Sequence, residues 1–104
     1  MAEYIPSRTS ETVVRERQKV ERPRRYKVLL LNDDYTTMEF VVLILEEVFQ
    51  KTRDEAVRVM LNVHENGKGV AGVYVKDIAE TKIAATHKFA QEHGYPLKCG
   101  MEPE

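Results

Sequence analysis

Apolar runs and polar breaks alternate along the chain in an order that predicts six elements. Tyr26 to Leu31 ends in four consecutive apolar residues, Val28 to Leu31, which predicts a strand covered on both faces. A polar stretch from Asn32 to Thr37 follows. Then Phe40, Val41, Ile44, Leu45, Val48 and Phe49 recur at helical spacing, with Val42 and Leu43 widening the apolar face. That pattern predicts a helix to about Gln50, with Thr36 as N-cap and Glu39 completing a capping box. Thr52-Arg53-Asp54-Glu55 repeats the box and opens a second helix, whose Ala56, Val59, Met60 and Val63 share a face and which Asn66-Gly67 ends. Gly69 to Val75 reads as a strand, with Gly72 marking a bulge or a close backbone approach.

Asp77-Ile78-Ala79-Glu80 is a third capping pattern. Its helix runs to about His93, stops at Gly94, and offers Ile78, Ala79, Ile83, Ala85, Phe89 and Ala90 to the core. Leu97 to Met101 is a short last strand, and Glu102 to Glu104 reads as a polar tail. The order β-α-α-β-α-β predicts a small two-layer α+β sandwich, three short antiparallel strands with three helices on one face.

Residues 1–25 break this pattern. They are polar, with scattered valines and two prolines, and read as a flexible N-terminal arm. The segment Thr12 to Glu21 has too few apolar residues in register to require burial. Residues 26–104 are then the one core domain that 104 residues allow. Net charge divides along the same boundary. The arm carries seven Lys/Arg against four Glu, whereas the rest carries nine Lys/Arg against thirteen Asp/Glu. A core of that sign repels phosphates, so no nucleic-acid role is expected, and the basic run Arg22-Pro23-Arg24-Arg25 reads as a solvated tether. No apolar run approaches the roughly 18 residues of a membrane span. Charges at Glu3, Arg8, Glu11 and Arg15 exclude a signal peptide. A lone Cys99 excludes an internal disulfide and favours a reducing, cytosol-like compartment.

The break at Asn32-Asp33-Asp34-Tyr35-Thr36-Thr37-Met38 carries more acceptors than a strand-to-helix turn needs. The adjacent carboxyls Asp33 and Asp34 do not form a matched acid–base pair. The two serines, Ser7 and Ser10, lie in the arm, and Cys99 has no Cys or His at motif spacing, so no enzyme is expected. His64-Glu65-Asn66-Gly67-Lys68 lacks the second histidine of a zinc helix motif, and neither a metal nor a cofactor is expected. His64 taken alone is an ordinary edge histidine. An antiparallel helix pair, however, brings the end of helix two beside the start of helix one. Met60, Val63 and His64 then meet Met38 and the Asn32–Asp34 loop. The expected product is an apolar pocket rimmed by acceptors, suited to a cationic group with an apolar attachment.

The run from Val28 to Val41 closely resembles the signature of the ClpS adaptor proteins. The segment Met60 to Lys68 resembles their second motif, and Gly72-Val73-Tyr74 with Ala79-Glu80-Thr81-Lys82 resembles the third; the resemblance spans residues 26–101. It implies a bacterial, cytoplasmic N-degron adaptor with the fold of the ribosomal stalk protein's C-terminal domain. Such an adaptor binds proteins whose first residue is Phe, Tyr, Trp or Leu and delivers them to the ClpA ATPase of the ClpAP protease. Carried over by position, Asn32, Asp34 and His64 hold the substrate α-amino group, with Asp33 in the same loop. Thr36, Met38, Met60, Val63 and Leu97 shape the side-chain pocket, with Met38 as gatekeeper against β-branched first residues. Asp77, Glu80 and Lys82 match the ATPase-contact surface, and the arm matches the extension engaged during delivery. Thr37 stands where many members have Pro, and Leu43 where some have a polar residue. The alternative is a structural or ribosome-associated interaction domain of the same fold, in which Asn32–Asp34 only cap helix one. A third reading, a metal-dependent hydrolase, would require metal retained after purification.

Overall fold

The computed structural model describes residues 22–104, so the expected arm, apart from its last four residues, lies outside the described residues. The elements are β1 (Arg25–Leu31), α1 (Met38–Glu47), α2 (Arg53–Asn66), β2 (Lys68–Val75), α3 (Lys76–Glu92) and β3 (Lys98–Pro103). This is the expected β-α-α-β-α-β order. The sheet is antiparallel, in the order β2-β1-β3.

β1 is the central strand, and its alternation decides how the layers pack. Val28 and Leu30 are fully buried beneath the helices, whereas Leu29 is half-buried and Leu31 is exposed on the other face. The four-residue apolar run therefore does not mark a strand covered on both faces, as the sequence suggested. All three helices follow connections that return to one side, and the other side of the sheet stays open. Opposite Val28 and Leu29 the register slips from Gly72 to Val70, leaving Ala71 as the extra residue of a β-bulge. A side chain at Gly72 would run into the Tyr74 ring, so the close approach there comes from a side chain rather than another backbone.

The core is built from Val28, Leu30, Ile44 and Leu45, with α1 buried along Phe40, Val41 and Val42. Phe40 stacks near Phe89, His93 and Tyr95, with ring centroids 4.4–5.8 Å apart, and so ties α1 to the end of α3. The polar core residue is Thr86, whose hydroxyl donates to the Lys82 carbonyl at 2.8 Å.

Four local expectations are corrected. Thr37, not Thr36, caps α1, accepting the Phe40 amide on its hydroxyl at 3.1 Å. α1 stops at Glu47, and Gln50 adopts φ 51° as the chain turns toward α2. Asp77 is not an N-cap, because α3 starts directly from the end of β2 at Lys76 and Asp77 sits inside its first turn. Ile78 and Ala85 face solvent instead of the core. The box at Thr52 and Glu55 forms as expected, and Gly67 ends α2 with φ 87°. Glu102 and Pro103 extend β3, and Glu104 is fastened rather than free. Its amide donates to the Arg25 carbonyl, and its carboxylate takes a two-pronged pair from Arg25 at 2.8 and 2.7 Å.

Candidate functional site

β1 leads straight into the loop at Asn32, and the loop is held by both ends. The Asn32 amide donates to the Gly67 carbonyl at 2.9 Å, which fixes the loop against the C-terminus of α2. Inside the loop, the Asp33 carboxylate accepts the Tyr35 amide at 2.8 Å, the Thr36 amide at 2.7 Å and the Thr36 hydroxyl at 2.7 Å. This is an Asx turn reinforced by a hydroxyl. Partial burial alone would raise the Asp33 pKa, but the three hydrogen bonds outweigh it and hold the carboxyl below its ordinary value. With Thr36 engaged on Asp33, the capping of α1 passes to Thr37.

The loop, the first turn of α1 and the last turns of α2 enclose a cavity of about 480 Å³. Eight of the nine residues expected at the amino-binding and side-chain site line it: Asn32, Asp33, Asp34, Thr36, Met38, Met60, Val63 and His64. Met60, Val63 and His64 come from one face of α2 by i, i+3 and i+4 spacing. The polar wall is the loop with His64, and the apolar wall is Met38, Met60 and Val63. Asp34 is exposed to the cavity mouth, and Met38 is 42% exposed. The charged residues of the lining are Asp33, Asp34 and Glu39, with no Lys or Arg among them. The cavity therefore presents negative charge beside an apolar surface.

Leu97 is not brought to this lining. It is buried in the core and borders a separate shallow pocket with His87 and Lys98. The cavity also has walls that the sequence reading did not name: Tyr35, Thr37, Glu39 and Val41. Val41 stands i+3 from Met38, so helical spacing from an accepted pocket residue was the available signal. Tyr35 is 77% exposed at the rim although its amide is pinned by Asp33.

Elsewhere, Asp77 and Glu80 are exposed on the first turns of α3. Lys82 is only half-exposed, because its ammonium donates to the Val48 carbonyl at 2.6 Å and to Gln50 Oε1 at 2.8 Å. It also lies 5.6 Å from the centre of the Tyr74 ring. Cys99 has a histidine neighbour, His87, at a separation of 12 residues that no motif spacing covers. Its amide donates to His87 Nε2 at 3.1 Å, and its sulfur lies 3.8 Å from the same nitrogen. Burial pushes the thiol up to about 11, against a small opposing effect of Thr86, so this pair does not supply a thiolate nucleophile. Among the described residues, no three His, Cys, Asp or Glu side chains come together as a metal site, and no helix is long and apolar enough to cross a membrane.

Residues 21–100 match the family model described as ATP-dependent Clp protease adaptor protein ClpS. A Desulfatibacillum aliphaticivorans protein described as ATP-dependent Clp protease adapter protein ClpS is 66% identical over 87 residues, 84% of each chain. One of Nitratidesulfovibrio vulgaris with the same description is 53% identical over 98 residues, 94% of this chain and 98% of the relative. The fold is similar to the structure of Agrobacterium tumefaciens ClpS2 bound to L-phenylalaninamide, with a TM-score of 0.76 and 47% identity over 80% of this chain and 100% of that one.

Proposed function

The chain belongs to the ClpS family of ATP-dependent Clp protease adaptors, and we propose that its cavity captures the free N-terminus of proteins beginning with Phe, Tyr, Trp or Leu. The observation that carries this reading is the division of one cavity into an acceptor wall and an apolar wall. An α-ammonium has three donors. The Asn32 amide oxygen, the Asp34 carboxylate and a neutral His64 imidazole nitrogen supply three acceptors. Asp33 acts one step back, since its carboxylate is spent on holding the loop. Each charge-assisted bond is worth about 1.5–3 kcal/mol, and burial of a Phe or Leu side chain between Met38, Met60 and Val63 adds about as much. An internal residue offers one amide hydrogen instead of an ammonium, so acceptors go unpaired and the polypeptide is rejected. The ligand named for the Agrobacterium relative, an aromatic amino-acid amide with a free α-amino group, fits the same chemistry.

Delivery follows from the same reading. The ATPase served is ClpA of the ClpAP protease, in the bacterial cytoplasm, and the adaptor performs no catalysis itself. Asp77 and Glu80 offer the ATPase an exposed acidic surface on α3, and Lys82 ties that surface to the turn that follows α1. The N-terminal arm, residues 1–25, is engaged during hand-over.

Titration with a peptide beginning with Phe, and with its N-acetylated form, tests the amino site. Acetylation removes the charge and two donors, and affinity falls at least about a hundredfold if the three acceptors hold the ammonium. Unchanged affinity after acetylation would sink this function and leave Asn32–Asp34 as a helix-capping loop.

A further inference from the structure

A second depression adjoins the amino-binding cavity. It has a volume of about 470 Å³ and lies between α1 and α2. Its floor is apolar: Val42 is 6% exposed, and Leu43 and Val57 are half-buried. Glu39 stands at its near rim. Its far rim is Glu46 and Arg53, whose charged groups lie 3.7 Å apart and join the two helices. The two hollows are continuous in their walls, because Met38, Glu39 and Met60 line both. The partition between them is thus two methionines, which are unbranched side chains that re-pack easily around a neighbour.

We propose that this groove is a second subsite, which takes an apolar side chain at the third residue of the captured polypeptide. The inference rests on the first cavity's holding residue one. In an extended chain, alternate side chains point to the same side, so residues one and three share a face about 7 Å apart. Along α1 the groove reaches from Met38 to Glu46, about 12 Å at the helical rise. Residue three therefore falls within its length, beyond the Met38–Met60 partition, when residue one lies in front of it. Residue two points the other way, toward solvent. The pocket floor is apolar and its far rim, Glu46 with Arg53, is internally neutralised, which leaves the exposed Glu39 at the near rim as the remaining charge, so the groove selects chiefly by burial of aliphatic or aromatic surface.

The test uses the full chain and four ligands: L-phenylalaninamide, Phe-Ala-Ala-amide, Phe-Ala-Leu-amide and Phe-Leu-Ala-amide, measured by isothermal titration calorimetry. Leu in place of Ala at position three should tighten binding roughly five- to tenfold, the effect of burying between one and two methylene groups' worth of a side chain that stays partly exposed in an open groove. Leu at position two should change it less than about twofold. Val57→Glu blocks the groove without touching the first cavity, and Val57→Ser is its milder partner. In either variant the gain from Leu at position three disappears while L-phenylalaninamide binds as before. Equal affinity for Phe-Ala-Ala-amide and Phe-Ala-Leu-amide overturns the subsite, as does a gain of the same size at position two or one that survives both variants. Failure of the folded wild-type chain to bind L-phenylalaninamide would instead remove the amino-site reading itself.

Discussion

The amide of Asn32 donates to the carbonyl of Gly67 at 2.9 Å, and this bond joins the two halves of the site. Asn32 begins the acceptor loop, and Gly67 is the left-handed residue that ends α2 three residues after His64. The φ of 87° at Gly67 turns its carbonyl back toward the loop. A β-carbon there would meet nothing within 4 Å, so the only obstacle to a larger residue is conformational. Gly67→Ala should therefore cost about 1–2 kcal/mol. That lowers the melting temperature by roughly 4–16 °C for a domain of this size and weakens capture of Phe-initiated peptides by loosening the loop. Gly67→Asn should recover part of both losses, since Asn tolerates this conformation better than Ala. Full affinity in the Ala variant would show that the loop is held by other contacts.

Asp34 is exposed at the cavity mouth, and the described hydrogen bonds of the loop do not use its carboxylate. Asp34→Ala should leave the melting temperature within a few degrees of wild type while reducing affinity for Phe-initiated peptides by about 10- to 150-fold, the loss of a charge-assisted bond. A variant that unfolds would instead identify Asp34 as part of the scaffold.

Asp33 behaves in the opposite way. Its folded pKa is lowered, so the stability it contributes is present above its ordinary value near 3.8 and is lost as pH falls through the folded value. Asp33→Asn keeps the shape but cannot supply the charged acceptors. The variant should be less stable than wild type at neutral pH, and the gap should close as the pH drops below about 4. Urea unfolding from pH 7 to 3 reads this directly; a gap that is constant with pH would mean the charge of Asp33 is irrelevant to the loop.

Met38 forms the partition between the first cavity and its neighbour together with Met60, and it is 42% exposed at the edge of both. Its truncation leaves room beside the β-carbon of a bound first residue, where Ile and Val carry their branch. Met38→Ala should bring Ile- and Val-initiated peptides to within about tenfold of Leu, with some loss of affinity for Leu itself from reduced burial. Competition binding among Ile-, Val- and Leu-initiated peptides checks this, and an unchanged preference rejects the gatekeeper role.

The helical periodicity of the α1 and α2 segments, with the Thr52 and Gly67 signals, was enough to place the two helices antiparallel, and with them Met38 beside Met60, Val63 and His64. Those are local patterns, and local patterns are what a sequence carries openly. The errors arose where one residue had two possible partners. Thr36 and Thr37 both fit an N-cap, and the choice is decided by Asp33, which claims Thr36 through two hydrogen bonds, one to its amide and one to its hydroxyl. Val28–Leu31 is apolar throughout, so the run could not tell a strand covered twice from one with an open face at Leu31. Two placements were set by long-range pairing. Glu104 is fixed by Arg25, 79 residues away, and Cys99 by His87 on α3, and no spacing rule contains either. The pocket place that the resemblance implies for Leu97 has no local pattern behind it, and Leu97 is buried in the core just before β3.

The burial of Cys99 has a consequence for alkaline stability. Cys99 is 8% exposed, its amide is committed to His87, and desolvation raises its thiol from near 9 to about 11. The folded state therefore holds this proton more tightly than the unfolded chain does. The sign follows from linkage: stability is level below about pH 9 and falls between about 9 and 11, as the unfolded thiol ionises and the folded one does not. Cys99→Ala should flatten that part of the fall, measured as the difference from wild type in urea unfolding at pH 8, 9.5 and 10.5. The same burial protects the sulfur chemically. At pH 8 a shift of two units lowers the thiolate fraction roughly a hundredfold, so iodoacetamide should modify the native chain at least that much more slowly than the urea-unfolded chain. Equal rates in the two states would place the sulfur in solvent and break its proposed tie to α3.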